Sequence, residues 1–260
     1  MPFAEFNGIR MHYHEEGEGE PILLITGFGG DINFFHSLVP ELRDRYRVIT
    51  FESRGSGLTE YDGDFECQDL VDDVSGLLDH LGIYKAHILG WSLGSQIAME
   101  FTLQHQDRVQ TLTLVSAFER CPARSSYMMN TIIDAGMKGA EVEYVFAMVN
   151  AFSFTEDYFD AKRTKGQKVK AINSTTPAKL KQQMHCLDSY DLEGRLGAIK
   201  IPVLSIHGLE DIMVEPKKGD SIASAIPGCR LLRIPDVGHV IHPSLYAKEF
   251  KGFLLAHPKQ

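Results

Sequence analysis

Gly90-Trp91-Ser92-Leu93-Gly94 carries the pattern G-x-S-x-G. It follows an apolar strand-like run and precedes a helical pattern, the context in which this pattern presents a nucleophilic serine on a sharp turn. Side chains two residues before and after Ser92 would collide in such a turn, so glycine is needed at both places. A serine hydroxyl attacks carbonyl carbon at neutral pH only when a neutral imidazole takes its proton, and that imidazole needs an acceptor on its other nitrogen. Ile234-Pro235-Asp236-Val237-Gly238-His239 puts a histidine in the loop after the last strand. His239 is the expected general base, with His242 its competitor and Asp236 a turn former. Ile206-His207-Gly208-Leu209-Glu210-Asp211 follows the preceding strand. Asp211 is the expected orienting acid. Glu210 should point the other way, and Glu119, after an earlier strand, is the rival.

Such chemistry also needs two amide N–H groups for the developing oxyanion. Leu93 should supply one, at the start of the helix after Ser92. The other should come from the glycine-rich turn Thr26-Gly27-Phe28-Gly29-Gly30, with Phe28 the nominee. This turn lacks both G-x-x-x-x-G-K-[ST] and G-x-G-x-x-G, so it is not read as a nucleotide site.

The elements that must hold these loops are legible in the hydrophobic pattern. Phe3 to Asn7 and Ile9 to His14 alternate around Gly8 as a hairpin. Pro21–Thr26, Arg47–Phe51, Ala86–Gly90, Thr111–Val115, Pro202–His207 and Arg230–Ile234 are short β-rich runs, as expected of strands buried on both faces. Leu70, Val71, Val74, Leu77, Leu78 and Leu81 recur at helical spacing, leaving Asp69, Asp72, Asp73 and Asp79 outward, and Gly82 stops the helix. Further helices are expected after Ser92, through Ile97, Ala98 and Phe101, and from about Ser244 to Leu255. Alternating strands and helices imply an α/β fold with a mostly parallel central sheet flanked by helices. The alternation breaks over residues 119–196, rich in Met, Phe and Tyr and helical in flavour. The expected organisation is a core of residues 1–118 and 197–260 with residues 119–196 inserted as a helical cap. Ordinary peripheral helices are the simpler alternative.

Composition narrows the class. Of 260 residues, 43% are hydrophobic and 23% charged, enough apolar material for a core without a metal or disulfide staple. Lys and Arg number 26 against 35 Asp and Glu, a formal charge of −9, which disfavours nucleic acid and anionic lipid as partners. The basic stretch Lys162 to Lys168 is read as a solvated helix face or loop. Cys67, Cys121, Cys186 and Cys229 are scattered, without metal-ligand spacing, as expected of reduced thiols in the cytoplasm. Met1 leads into polar sequence, so no signal peptide is expected, and no apolar run approaches the roughly 20 residues of a membrane span. No metal or other cofactor is expected.

Taken together, the hairpin to His14, the Gly-rich turn, the stretch Glu52-Ser53-Arg54-Gly55-Ser56-Gly57-Leu58-Thr59, the serine turn and the Asp211 and His239 loops resemble the α/β-hydrolase superfamily, in its subgroup of small capped esterases, enol-lactonases, C–C hydrolases and cofactor-free haloperoxidases. The resemblance spans nearly the whole chain, and the order Ser, Asp, His is that of this fold. It departs from the family at Thr26, where His is usual, at Glu52, where Asp is usual, and at Leu93, often Met. Some relatives take their acid from the place of Glu119. A serine at position 92, not aspartate, separates the chain from haloalkane dehalogenases and epoxide hydrolases.

The resemblance implies a serine carboxylesterase or lactonase acting through an acyl-enzyme on a small or medium hydrophobic carboxylic ester or lactone. Trp91, Met128, Phe146 and Met184 are the expected substrate wall, against core packing as the plainer reading of the methionines. The alternatives are C–C cleavage of a dienone acid, which needs a carboxylate-binding arginine such as Arg54, Arg120 or Arg124; a ligand receptor that keeps the triad; and a perhydrolase or haloperoxidase side reaction. The expected partner is the small-molecule substrate, with no nucleic acid and no membrane, and a homodimer stays open.

Overall fold

The computed structural model describes residues 2–165 and 175–258. Among the described residues, nine strands form one sheet: β1 Phe3–Phe6, β2 Ile9–Glu16, β3 Glu20–Ile25, β4 Tyr46–Phe51, β5 Glu60–Tyr61, β6 Ala86–Trp91, β7 Val109–Val115, β8 Val203–Gly208 and β9 Arg230–Ile234. Their order is β1-β2-β4-β3-β6-β7-β8-β9, with β5 paired to β2 off this path. Pairing is parallel from β4 through β9 and antiparallel at the β1–β2 and β2–β4 end. The helices are α1 Val39–Leu42, α2 Cys67–His80, α3 Leu93–Gln104, α4 Ala123–Met137, α5 Val142–Ser153, α6 Glu156–Thr164, α7 Pro177–Ser189, α8 Lys217–Ala225 and α9 Ala247–Leu255. The fold is that of the sequence reading, an α/β sheet covered on both faces.

The period of two along a strand decides which helices it serves. In β3, Leu23 and Ile25 join the apolar cluster containing Val71 and Leu77 of α2 and Ile97 and Phe101 of α3. Ile22 and Leu24, from the same strand, join the opposite cluster with Leu42 of α1 and Phe250 and Leu254 of α9. Both faces are dry, which is why these strands read as continuous apolar runs and not as alternation.

Two expectations change. Asp73 does not face outward: it is 1% exposed and forms an ion pair with Arg54 at 2.8 Å. Charge alone suggested solvent there, but Arg54, arriving from the loop after β4, follows the carboxylate inside. The last helix begins at Ala247, because Pro243–Leu245 forms a separate 3₁₀ turn capped by His242. His242 Nδ1 lies 2.8 Å from Ser244 Oγ within that turn.

Between β7 and β8 the chain passes through α4, α5, α6 and α7. Of the basic stretch, Lys162, Arg163 and Thr164 fall in α6, while residues 166–168 lie outside the described residues. Among the described residues, no helix is long and apolar enough to cross a membrane.

Candidate active site

Parallel strands deliver the three chemical residues to one edge of the sheet. Ser92 follows β6, Asp211 lies three residues beyond β8, and His239 lies in the loop after β9. This is the carboxyl edge, where open α/β sheets place their ligands.

Ser92 has φ 54° and ψ −119°, outside the favourable regions for a residue with a side chain. Such strain costs roughly 1–3 kcal/mol and persists only when neighbours over-determine it. They do so here. The Ser92 amide donates to Val115 O at 3.0 Å, and Ser92 O accepts from the Ser95 amide at 2.8 Å and from Ser95 Oγ at 2.5 Å. A Cβ on Gly90 would lie 2.3 Å from Gly94 O, and one on Gly94 would lie 2.3 Å from Ile25 O, so both positions must be glycine.

His239 Nε2 lies 3.0 Å from Ser92 Oγ, and His239 Nδ1 lies 2.8 Å from Asp211 Oδ2. Asp211 and His239 are 2% and 1% exposed. Asp211 Oδ1 accepts from the amides of Met213 (2.9 Å) and Val214 (2.7 Å). Burial pushes the Asp211 carboxyl up, but electrostatic attraction to the His239 ring, hydrogen bonds from His207 and His239 and the Val214 amide outweigh it, holding the carboxyl well below the usual carboxylate range. An ionised Asp211 only accepts, so the imidazole proton sits on Nδ1 and Nε2 is left to accept from Ser92. The two loops can approach this closely because position 208 is glycine: a Cβ there would sit 2.3 Å from Val237 O.

Glu119 takes no part in this chain. One of its oxygens accepts from Ser221 Oγ, and Lys218 Nζ lies 3.9 Å from the other. Glu210 is exposed, and its amide donates to Val237 O at 2.9 Å, helping to join the Asp211 and His239 loops. Asp236 has φ 57°, in keeping with a turn former.

The glycine-rich turn packs against the serine. A Cβ on Gly27 would lie 2.6 Å from the Trp91 ring and 3.0 Å from Ser92 Cβ. The Gly30 amide donates to Gly27 O at 3.0 Å, and Gly29 takes the positive φ (63°) that the third place of this turn requires. Among the described residues, the amides of Phe28 and Leu93 have no hydrogen-bond partner, whereas the Gly29 amide donates to Gln183 Oε1 at 2.7 Å. Glu52, at the family's usual Asp position, is buried between His12 Nδ1 (2.8 Å) and the Leu58 amide (2.5 Å) and serves the scaffold.

The four expected wall residues do not gather in one place. Trp91 Nε1 donates to His239 O at 3.2 Å, and its ring stacks on Phe34 at 4.1 Å. Phe146 and Met184 are buried in the apolar core and Met128 packs at its edge. An apolar cavity of about 860 Å³ adjoins the His239 loop, walled by Phe34, Phe154, Tyr158, Val237, Val240 and Leu245, not by those four. The three candidate arginines are engaged: Arg54 with Asp73, Arg120 with Asp191, Arg124 with Ile212 O and Glu215.

Other supporting residues carry no motif. Ser116 Oγ donates to His239 O at 2.7 Å, and the Val240 amide donates to Ser153 O in α5 at 3.1 Å. Gln183 and Ser153 both come from the helices between β7 and β8. Only contact, not local pattern, could have found them. Among the described residues, no cluster of His, Cys, Asp and Glu could hold a metal ion.

Comparison with known proteins agrees with this architecture. The family model of the alpha/beta hydrolase fold matches residues 20–244. The chain is 30% identical over 240 residues to a Mycobacterium tuberculosis protein that carries the name non-heme bromoperoxidase BpoC, covering 89% of this chain and 91% of that one. It is 26% identical over 249 residues to the 2-hydroxy-6-oxononadienedioate/2-hydroxy-6-oxononatrienedioate hydrolase of Comamonas testosteroni, covering 90% and 86%. Among solved structures, the enol-lactonase from Burkholderia xenovorans LB400 superposes with a TM-score of 0.82 at 25% identity, over 98% of this chain and 100% of that one. These relatives carry different activities on one fold. With its serine turn, its strand order and a family match that runs from β3 to the last 3₁₀ turn, this chain belongs to the α/β-hydrolase family.

Proposed function

We propose that the protein is a serine hydrolase that cleaves a small or medium apolar carboxylic ester or lactone through an acyl-enzyme. One observation carries the reading. The hydrogen-bonded line from Asp211 through the His239 imidazole ends at Ser92 Oγ, beside the glycine-rich turn, and among the described residues the amides of Phe28 and Leu93 have no hydrogen-bond partner. Ser92 attacks the carbonyl carbon while His239 Nε2 takes its proton. The carbonyl oxygen becomes an oxyanion held by the Phe28 and Leu93 amides. His239 returns the proton to the leaving oxygen, the C–O bond breaks, and the acyl group stays on Ser92. Water then attacks the acyl carbon with the same base, and Ser92 is regenerated. For a lactone, the leaving oxygen remains tethered to the acyl chain.

The cavity beside the His239 loop is apolar in most of its wall, with Asp157, Lys162 and Asp236 also lining it, which favours a substrate with a largely apolar body. In this reading residues 119–196 act as the cap over the site, and the reaction takes place in the cytoplasm, where the four free cysteines would stay reduced. C–C cleavage of a dienone acid has less support, because each arginine that could take the substrate carboxylate already has a partner.

The test is turnover of p-nitrophenyl esters from acetate to decanoate by wild type and Ser92→Ala. Wild type should hydrolyse the shorter or middle chains, and Ser92→Ala should lose at least about 10³-fold in kcat. Equal activity in both would remove Ser92 from the mechanism. No activity in wild type would sink the simple-ester reading and move the search to lactones.

A further inference from the structure

Gln183 is a polar side chain 1% exposed, on helix α7, outside the sequence motifs of the core. Its amide is fully directed. Oε1 accepts from the Gly29 amide at 2.7 Å, and Nε2 donates to Arg54 O at 2.7 Å and to Ser56 Oγ at 2.9 Å. The orientation is fixed by chemistry: the Gly29 N–H can only donate and the Arg54 carbonyl can only accept, so the oxygen must face the turn and the nitrogen the loop. A buried group satisfied three times over is a rigid strut. One end of that strut is helix α7, and the other is the residue next to Phe28.

Gly27 O and the Gly29 amide are both occupied, by Gly30 and by Gln183, which fixes the turn on either side of Phe28, whose amide has no partner among the described residues. We propose that Gln183 is a positioning residue for oxyanion binding, holding the turn so that the Phe28 amide faces the reacting carbonyl only while α7 is seated. The proposal rests on the acyl-transfer reading above. It makes seating of the helical segment a condition for stabilising the transition state, not merely for enclosing substrate.

Two variants each keep half of the network. Gln183→Glu keeps an acceptor for the Gly29 amide and loses both donors. Gln183→Lys keeps a donor for Arg54 O and Ser56 Oγ and loses the acceptor. The measurements are kcat and KM on the best p-nitrophenyl ester, the inhibition constant of a trifluoromethyl ketone bearing the same acyl chain, and the melting temperature of each variant. Gln183→Lys should lose about tenfold to a hundredfold in kcat with KM within about threefold. Its inhibition constant for the ketone, whose adduct mimics the tetrahedral oxyanion, should rise in proportion. Gln183→Glu should retain kcat within about tenfold of wild type, whatever its melting temperature. If Gln183→Lys matches or exceeds Gln183→Glu in kcat, or if losses follow melting temperature and not the Gly29 acceptor, Gln183 is structural and the proposal is wrong. If wild type neither turns over any ester nor binds the ketone, the acyl-transfer reading itself fails and takes this inference with it.

Discussion

Asp211→Asn replaces one oxygen of a buried carboxylate by an amide nitrogen. The site decides which one. Oδ1 accepts from the Met213 and Val214 amides, at 2.9 and 2.7 Å, and both can only donate. The amide oxygen of the variant must take that place, which puts its NH₂ where Oδ2 now meets His239 Nδ1 at 2.8 Å. That NH₂ donates to Nδ1, so the imidazole proton moves to Nε2 and points at Ser92. The base then has no lone pair for the serine proton. The charge term adds to this. An imidazolium and a carboxylate with charge centres about 4 Å apart attract by about 4 kcal/mol at an effective dielectric of 20, or about three decades in rate. The expected loss in kcat is therefore about 10³- to 10⁴-fold, with little change in KM, on the same ester panel. Glu119→Gln, measured beside it, should stay within about threefold of wild type, since Glu119 is engaged with Ser221 and not with His239. A folded Asp211→Asn with more than a tenth of wild-type kcat, or a Glu119→Gln that is the slower of the two, would refute the assignment of the acid.

Three further outcomes are expected. Asp211 is held ionised below the ordinary carboxylate value near 3.9, so its stabilisation is present above about pH 4 and is lost as pH falls through its depressed value; thermal melts of Asp211→Asn should therefore show a shallower acid limb than wild type. Arg54→Met leaves the buried Asp73 carboxylate without its counter-charge, with only the long Asn7 hydrogen bond, and should cost about 3–5 kcal/mol in denaturant unfolding, while Arg54→Met/Asp73→Leu should recover most of it. Burial already pushes the Asp73 carboxyl up against the pull of Arg54, and a raised group stabilises the fold at low pH and loses that contribution as pH rises; the cost of Arg54→Met should thus be larger at pH 8 than at pH 5, and the opposite slope would contradict the pairing. Gly208→Ala sets a Cβ 2.3 Å from Val237 O and 2.4 Å from Gly238 O, forcing the Asp211 and His239 loops apart; kcat should fall about 10²-fold or more, and an active variant with an unshifted melting point would mean that the loops are not held by this contact.

What the sequence made legible follows from the range of the forces involved. Ser92, Asp211 and His239 stand in short strand–turn units whose glycines are demanded by contacts at the sheet edge, so each could be read within a window of six residues. The central strands were legible because burial on both faces selects mostly apolar side chains along them, as in β3 and β6. Asp73 was misread because helical periodicity assigns a charged residue to water unless its partner is known, and Arg54 lies 19 positions earlier in a loop. Ser116 and Gln183 were invisible for the same reason at greater distance, with partners 123 and 154 positions away. The methionines and aromatics of residues 119–196 announced apolar surface but not its direction: Met184 lies wholly in the core, and Met148 is 52% exposed.

The two kinds of support divide the site in a way that bears on how its chemistry can change. The serine turn is fixed by the sheet and its own helix, through Val115 O, Ser95 and the packing of Gly94 on β3. The base loop and the glycine-rich turn, by contrast, each borrow a bond from the helices between β7 and β8: Ser153 O of α5 takes the Val240 amide beside His239, and Gln183 of α7 takes the Gly29 amide beside Phe28. Under the proposed mechanism, substitutions in those helices should shift the His239 loop and the Phe28 turn together while the Ser92 turn stays where it is. A fold built this way can exchange substrates by altering one segment of chain.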